Sequence, residues 1–257
     1  MEMPQGIQVA TGNSKDHVLK LLKNLYGQKQ AGRVWNSFLV DKLTSLGFTP
    51  SSIDDCVFFH GDIIFMVYVD NSIFLGNNDA ELQQAIMAIQ ALGLNIEDQG
   101  HPADYVGVNI MKLCDGSIEF TQCALIDSII ADVGVNDSKA KPVPPKPFLQ
   151  LHAFKDEPEY DLDFNYRSAV GKLNYLSQTT CPDIMYATHQ IAKYSLDPRK
   201  LHGKTILYLI CYLKKTRDLG LHFKPDPSIG FECYCNADFS GLWNKTFASV
   251  DPSTAKS

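Results

Sequence analysis

The sequence predicts an α+β fold, on three observations. Hydrophobic residues alternate between a 3.6-residue and a two-residue period, and the resulting order runs helix, hairpin, helix, hairpin, helix. No βαβ unit recurs of the kind that builds a doubly wound parallel sheet. With 257 residues and 45% hydrophobic content, the chain can bury a sizeable core as one large domain or two small ones.

The elements follow in order. After Gly32, residues Val34, Trp35, Phe38, Leu39, Leu43 and Leu46 fall on one side of a helical repeat that Gly47 ends. Residues 63–69 and 72–75 read as the strands of a hairpin with an acidic tip, Asp70-Asn71, because Asn tolerates the positive φ of a tight turn. Asn78 and Glu81 make a capping-box pattern ahead of Leu82, Ala85, Ile86, Ile89 and Leu92, closed by Gly93. Residues 105–111 and 117–121 read as strands split by Asp115-Gly116, and a helix follows through Leu125, Ile126, Ile129, Ile130 and Val133. Five prolines between positions 139 and 158 block regular pairing and mark a linker. Beyond it, residues 166–180, 183–195 and 201–215 are expected to be helical, with Pro182 in a first turn, and residues 220–224 and 231–235 to be strands.

Composition narrows the chemistry. The seven cysteines form no CxxC pair and sit in apolar runs, so they read as reduced, buried thiols of an intracellular protein. No charged-then-apolar leader is present, and the longest apolar stretches, such as 206–213, are far shorter than the roughly 18 residues that span a bilayer. The histidines are scattered, and there is no dinucleotide loop, Walker loop or nucleophile elbow, which argues against zinc, nucleotide-cofactor and hydrolase chemistry. The formal charge is −6 but unevenly spread. Residues 15–35 carry five basic side chains against one acidic, residues 193–224 carry eight against two, and the remainder carries −16. Such segregation suits a basic track for phosphates on an otherwise acidic protein.

An Asp at a hairpin tip is a way to hold a carboxylate rigidly in the open for a divalent metal. Around this one the text is specific. Leu25-Tyr26-Gly27-Gln28-Lys29-Gln30-Ala31-Gly32-Arg33-Val34-Trp35 resembles the LYGLKQAxRxW block of copia-type retrotransposon reverse transcriptases, and Tyr68-Val69-Asp70-Asn71 stands where that family carries YVDD. In the same order, Met3-Pro4-Gln5-Gly6 is similar to MxQPEGF. Tyr105-Val106-Gly107-Val108-Asn109-Ile110 is similar to YLGxxI, and Phe120-Thr121-Gln122 to the entry of the thumb helix. Residues 166–173 with Pro182-Asp183-Ile184 resemble YRSxVGxLxYL…RPDI, and Tyr212-Leu213-Lys214 the YLK of the connecting region.

The resemblance implies a partial palm, fingers and thumb over residues 1–138, a Pro-rich linker over 139–158, a helical connection over 159–218, and the truncated first strands of a ribonuclease H-like fold over 219–257. It implies an RNA-directed DNA polymerase of a Gag-Pol polyprotein, acting on RNA template, DNA primer and dNTP with Mg2+ or Mn2+. Asp70 would be the catalytic metal-binding carboxylate. Lys29, Gln30, Arg33 and Tyr68 would line the nucleotide and template site.

Departures from the pattern set a second expectation. Asn71 replaces the second Asp of YVDD, and an amide oxygen attracts a metal less than a carboxylate does. The family's other catalytic Asp lies upstream of the MxQPEGF segment in which this chain opens. In Tyr234-Cys235-Asn236-Ala237-Asp238, similar to the ribonuclease H strand YxDADxAG, Asn236 takes the place of the first metal-binding Asp and Asp238 remains. These departures favour a chain inactive on its own, with a non-catalytic nucleic-acid-binding remnant or a functionless fragment of a decayed element as the alternative.

Overall fold

The computed structural model describes residues 18, 20–22, 24–25, 27–69, 71–145, 151–153, 156, 158–224, 226 and 228. They form a mixed helix-and-sheet protein with two compact units, residues 1–100 and 101–257, in agreement with the α+β expectation.

The first unit opens with helix α1 (Ala31–Ser45), and Gly47 follows at φ 88°, which its missing Cβ permits. Four antiparallel strands come next, in spatial order β1-β2-β3-β4: β1 (Thr49–Pro50), β2 (Val57–His60), β3 (Ile63–Tyr68) and β4 (Asn71–Leu75). The short strands β1 and β2 were not expected, because a four-residue run beside a turn carries too little periodicity to read. Helix α2 (Asp79–Ala91) closes the unit, and the Asn78 side chain accepts from the Ala80 N–H while donating to Glu81 at 2.9 Å. Leu39, Leu43, Phe48, Phe58, Ile63, Phe65, Ala85, Ile89 and Leu94 make one core, with Phe65 stacked on Phe74 at 4.4 Å. The N-terminal part of the expected apolar stripe of α1 stays outside that core: Val34, Trp35 and Phe38 are 43–49% exposed, while Leu39 and Leu43 are buried.

The second unit contains another antiparallel sheet, β5 (Asp104–Tyr105), β6 (Val108–Lys112), β7 (Ile118–Thr121) and β8 (Leu221–Phe223), in that order. The expected strand over 105–111 is in fact two strands, because Val106 (φ 52°) and Gly107 (φ 75°) turn the chain back on itself. Strand β8 pairs with β7 across a separation of about a hundred residues, Phe120 opposite Leu221. Helices α3 (Cys123–Val133), α4 (Tyr166–Thr179), α5 (Met185–Ala192) and α6 (Lys200–Lys215) complete the unit. Pro182–Ile184 is a 3-10 turn ahead of α5, since Pro at a first turn lacks only a donor that would be unsatisfied anyway. Ile126, Ile129, Leu173, Leu176, Ile184, Ile191, Ile206 and Leu209 are at most 1% exposed and form a single core, so α3 is packed together with α4–α6.

The cysteines divide. Cys181 and Cys211 are buried, but Cys56 and Cys114 are exposed, which corrects the expectation that all are buried. Both sit in turns beside aspartate, Asp54-Asp55 and Asp115-Gly116, and such segments run over the surface. Cys233 and Cys235 lie outside the described residues, as does the strand expected over 231–235.

Candidate nucleic-acid and metal site

The β3–β4 hairpin is the best-defined part of the candidate site. Ile63 and Phe65 of β3 are buried against α1 and α2 while the far end of the strand leaves the core, so Tyr68 is 57% exposed. The register pairs Tyr68 with Asn71. Asn71 therefore belongs to strand β4 and not to the turn, so the strand begins one residue earlier than expected. Val69 sits at φ 58° and is 63% exposed. A β-branched side chain in the left-handed region is strained, on the order of 1–3 kcal/mol, and persists only where the surroundings fix it. Asp70, the carboxylate expected to hold metal, lies outside the described residues.

Lys29 and Gln30 lead into α1, and Arg33 stands in its first turn. All three are exposed, and neither Lys29 nor Arg33 has an ion-pair partner among the described residues. The structure thus presents these cations to solvent without bringing them into a bonded contact with Tyr68 or Asn71. Asn236 and Asp238 are outside the described residues. Among the described residues no group of three or more His, Cys, Asp or Glu side chains could hold a metal ion. No helix among them is long and apolar enough to cross a membrane.

The second basic segment is partly absorbed by structure. Arg217 grips Asp127 of α3 with two bonds of 2.6 Å and also pairs with Asp218; Lys200 holds Asp161 at 2.7 Å, Arg199 holds Asp197 at 2.9 Å, and Lys224 reaches Asp115 at 3.2 Å. The guanidinium hydrogen bonds hold the Asp127 carboxyl below its ordinary range. Counting charges along the chain therefore overstates what this segment offers to phosphates.

Two polar clusters in the second unit escaped the sequence reading. Gln122 is 2% exposed, and its side-chain oxygen accepts from the hydroxyls of Thr179 and, at 2.9 Å, Thr180, while its amide nitrogen donates to the Gly107 carbonyl at 3.4 Å. Asp183 accepts from the Tyr212 hydroxyl at 2.5 Å, and burial together with that carboxylate pushes the phenol up to about 12. The partners stand 57 and 29 positions apart, so no local spacing announces either cluster.

Comparison with known proteins agrees with the motif order. The family of "Reverse transcriptase (RNA-dependent DNA polymerase)" matches over residues 1–147. The chain is 28% identical over 232 residues to the retrovirus-related Pol polyprotein from transposon RE2 of Arabidopsis thaliana, covering 88% of this chain and 16% of that protein. It is 27% identical over 252 residues to the retrovirus-related Pol polyprotein from transposon TNT 1-94 of Nicotiana tabacum, covering 94% of this chain and 19% of that one. A putative transposon Ty5-1 protein of Saccharomyces cerevisiae is 24% identical and is covered over 74% of its own length. The chain thus spans about one sixth of the first of these polyproteins. No solved structure matches it. With more than half of its length matched by the family and the copia-type motifs in order, the chain belongs to the reverse transcriptase family and corresponds to the reverse transcriptase region of retrotransposon Pol polyproteins.

Proposed function

We propose that this chain is a copia-type reverse transcriptase region that binds template and primer but does not polymerise by itself. The observation that carries the reading is the family match over residues 1–147, a span that includes the Tyr68-Val69-Asp70-Asn71 motif. In the intact family two Mg2+ ions, or Mn2+, assist attack of a primer 3′ hydroxyl on an incoming dNTP. Here Asp70 supplies one carboxylate, and Asn71, in strand β4, supplies only a neutral amide. Lys29, Gln30 and Arg33 contribute to the nucleotide and template surface, and Tyr68 approaches the primer end beside the turn.

On this reading residues 1–138 are palm, fingers and thumb, 139–158 a linker, 159–218 the helical connection, and 219–257 the start of a ribonuclease H-like fold, within a longer Gag-Pol polyprotein. The test is primer extension on an RNA template with Mg2+ or Mn2+, comparing the purified chain with Asp70→Ala. No extension by a folded chain that still binds the primer–template supports the reading. Extension abolished by Asp70→Ala would show that the chain is a working polymerase and overturn its inactivity.

A further inference from the structure

Helix α6 carries four lysines and no acidic residue. Lys204, Tyr208, Cys211 and Lys215 recur at the spacing of one helix face. Lys204 and Lys215 are exposed, yet Cys211 between them is only 7% exposed. Cys211 belongs to the core, and a segment from elsewhere in the chain meets this face of the helix. Residues 136–141 cross this face: the Lys141 N–H donates to the Cys211 carbonyl at 2.9 Å, and the Lys214 ammonium donates to the carbonyls of Asn136 and, at 3.1 Å, Ser138. The Lys141 ammonium lies 5.4 Å from the centre of the Tyr208 ring.

The crossing therefore carries Lys139 and Lys141 in a segment held against the helix face on which Lys204 and Lys215 recur, with Lys141 at Tyr208 and Lys214 tied to Asn136 and Ser138. None of these five has an ion-pair partner among the described residues, whereas Lys172, Arg199, Lys200, Arg217 and Lys224 each hold an aspartate. Asp137 is the acid in the crossing segment, and Asp161, on the Lys204 side, is engaged by Lys200. The row from Lys204 to Lys215 runs roughly 16 Å along the helix axis. A nucleic-acid duplex presents about one phosphate charge per 1.7 Å of axis, so a rigid row of this length meets several. Tyr208 already lies under Lys141 and is not free to stack on a base, which points to backbone contact without base readout.

We propose that the five-lysine face formed by α6 and residues 136–141 binds the sugar-phosphate backbone of a nucleic-acid duplex. The proposal rests on the nucleic-acid reading above and names a surface separate from the Lys29–Arg33 block. Lys141 and Lys214 also tie the crossing segment to α6, so the test leaves them in place. Binding of a labelled RNA–DNA hybrid duplex is followed by fluorescence anisotropy at several salt concentrations, for the unaltered chain, for Lys139→Gln/Lys204→Gln/Lys215→Gln, and for Lys29→Gln/Arg33→Gln.

The triple variant is expected to melt like the parent, to bind roughly 100-fold more weakly at 0.1 M salt, and to show a salt slope shallower by about 2 to 3, since each phosphate contact contributes about 0.7 to 0.9. Unchanged affinity and slope in the triple variant, with loss only in the Lys29/Arg33 variant, would overturn this surface and spare the earlier reading. A parent chain that does not bind the hybrid at all overturns both. Polyglutamate bound to this face as tightly as the hybrid would assign it to acidic polypeptides instead.

Discussion

The Tyr175 hydroxyl donates to the carbonyl of Val106 at 2.5 Å, so that helix α4 grips the turn between β5 and β6 in which Val106 is held at φ 52°. The Gln122 side chain grips the same turn at Gly107, from the residue preceding α3. A strained β-branched residue is thus fixed from two elements remote in sequence. Tyr175→Phe is expected to lower stability by about 1 kcal/mol, the usual net worth of one hydrogen bond. Val106→Gly, which removes the Cβ clash at positive φ, should offset most of that loss in the double variant. Urea unfolding measures both, and additive losses in the double variant would contradict the strain.

Removing the Gln122 side chain should cost more. Gln122→Ala leaves the buried Thr180 hydroxyl and its neighbour Thr179 without their shared acceptor, at a cost of about 1–3 kcal/mol. Hydrogen exchange of α4 amides near Thr179 and Thr180 is expected to speed up in this variant before exchange in α6 does.

His202 makes the second unit sensitive to acid. Its Nδ1 accepts from the Arg199 N–H at 2.9 Å, so Nε2 carries the proton donated to the His152 carbonyl at 2.7 Å, and the ring stacks on Tyr194 at 4.2 Å. Burial, with the Arg199 charge adding to it, holds the imidazole below its ordinary value, against the smaller opposing pull of the His152 carbonyl and Asp197. A lowered folded-state value means that the unfolded chain takes up the proton first. The stability tied to neutral His202 is therefore complete above pH of about 6.5 and is lost as pH falls from there through the folded-state value. Unfolding measured at pH 7.5 and 5.5 should show a loss in the parent that is markedly smaller in His202→Gln, whose amide can both accept and donate.

The two sides of α1 give a contrast. Leu43→Ala, at a fully buried position, should cost about 2–5 kcal/mol, whereas Trp35→Gln, at a half-exposed one, should stay within about 0.5 kcal/mol in the isolated chain. Equal losses at both positions would mean that Trp35 is covered in solution.

On the proposed reading, a carboxylate at position 71 should add to metal binding at Asp70. Asn71→Asp is expected to tighten Mn2+ binding by about tenfold or more, because ligand charge sets affinity at hard-cation sites. Calorimetric titration checks it, and the gain should vanish when Asp70→Ala is added.

The sequence by itself determined the elements whose signals are local. The helical stripe through Leu39 and Leu43, the cap at Asn78, the periodicities of α3 and α6, and the family motifs around Lys29, Tyr68 and Asp70 could all be read because each lies within one or two turns of chain. Tertiary structure decided what depends on partners far apart in sequence. It placed Asn71 in a strand, through its pairing with Tyr68, and added β8 to the edge of β7. It left Val34, Trp35 and Phe38 outside the core although their spacing is helical. It also sorted the lysines, giving Lys200 and Lys224 to aspartates and laying Lys141 against Tyr208 and Cys211 of α6. Periodicity reports which side of an element is apolar. Which surface covers that side, and which charge meets which, is set by contacts whose chain separation carries no local signal.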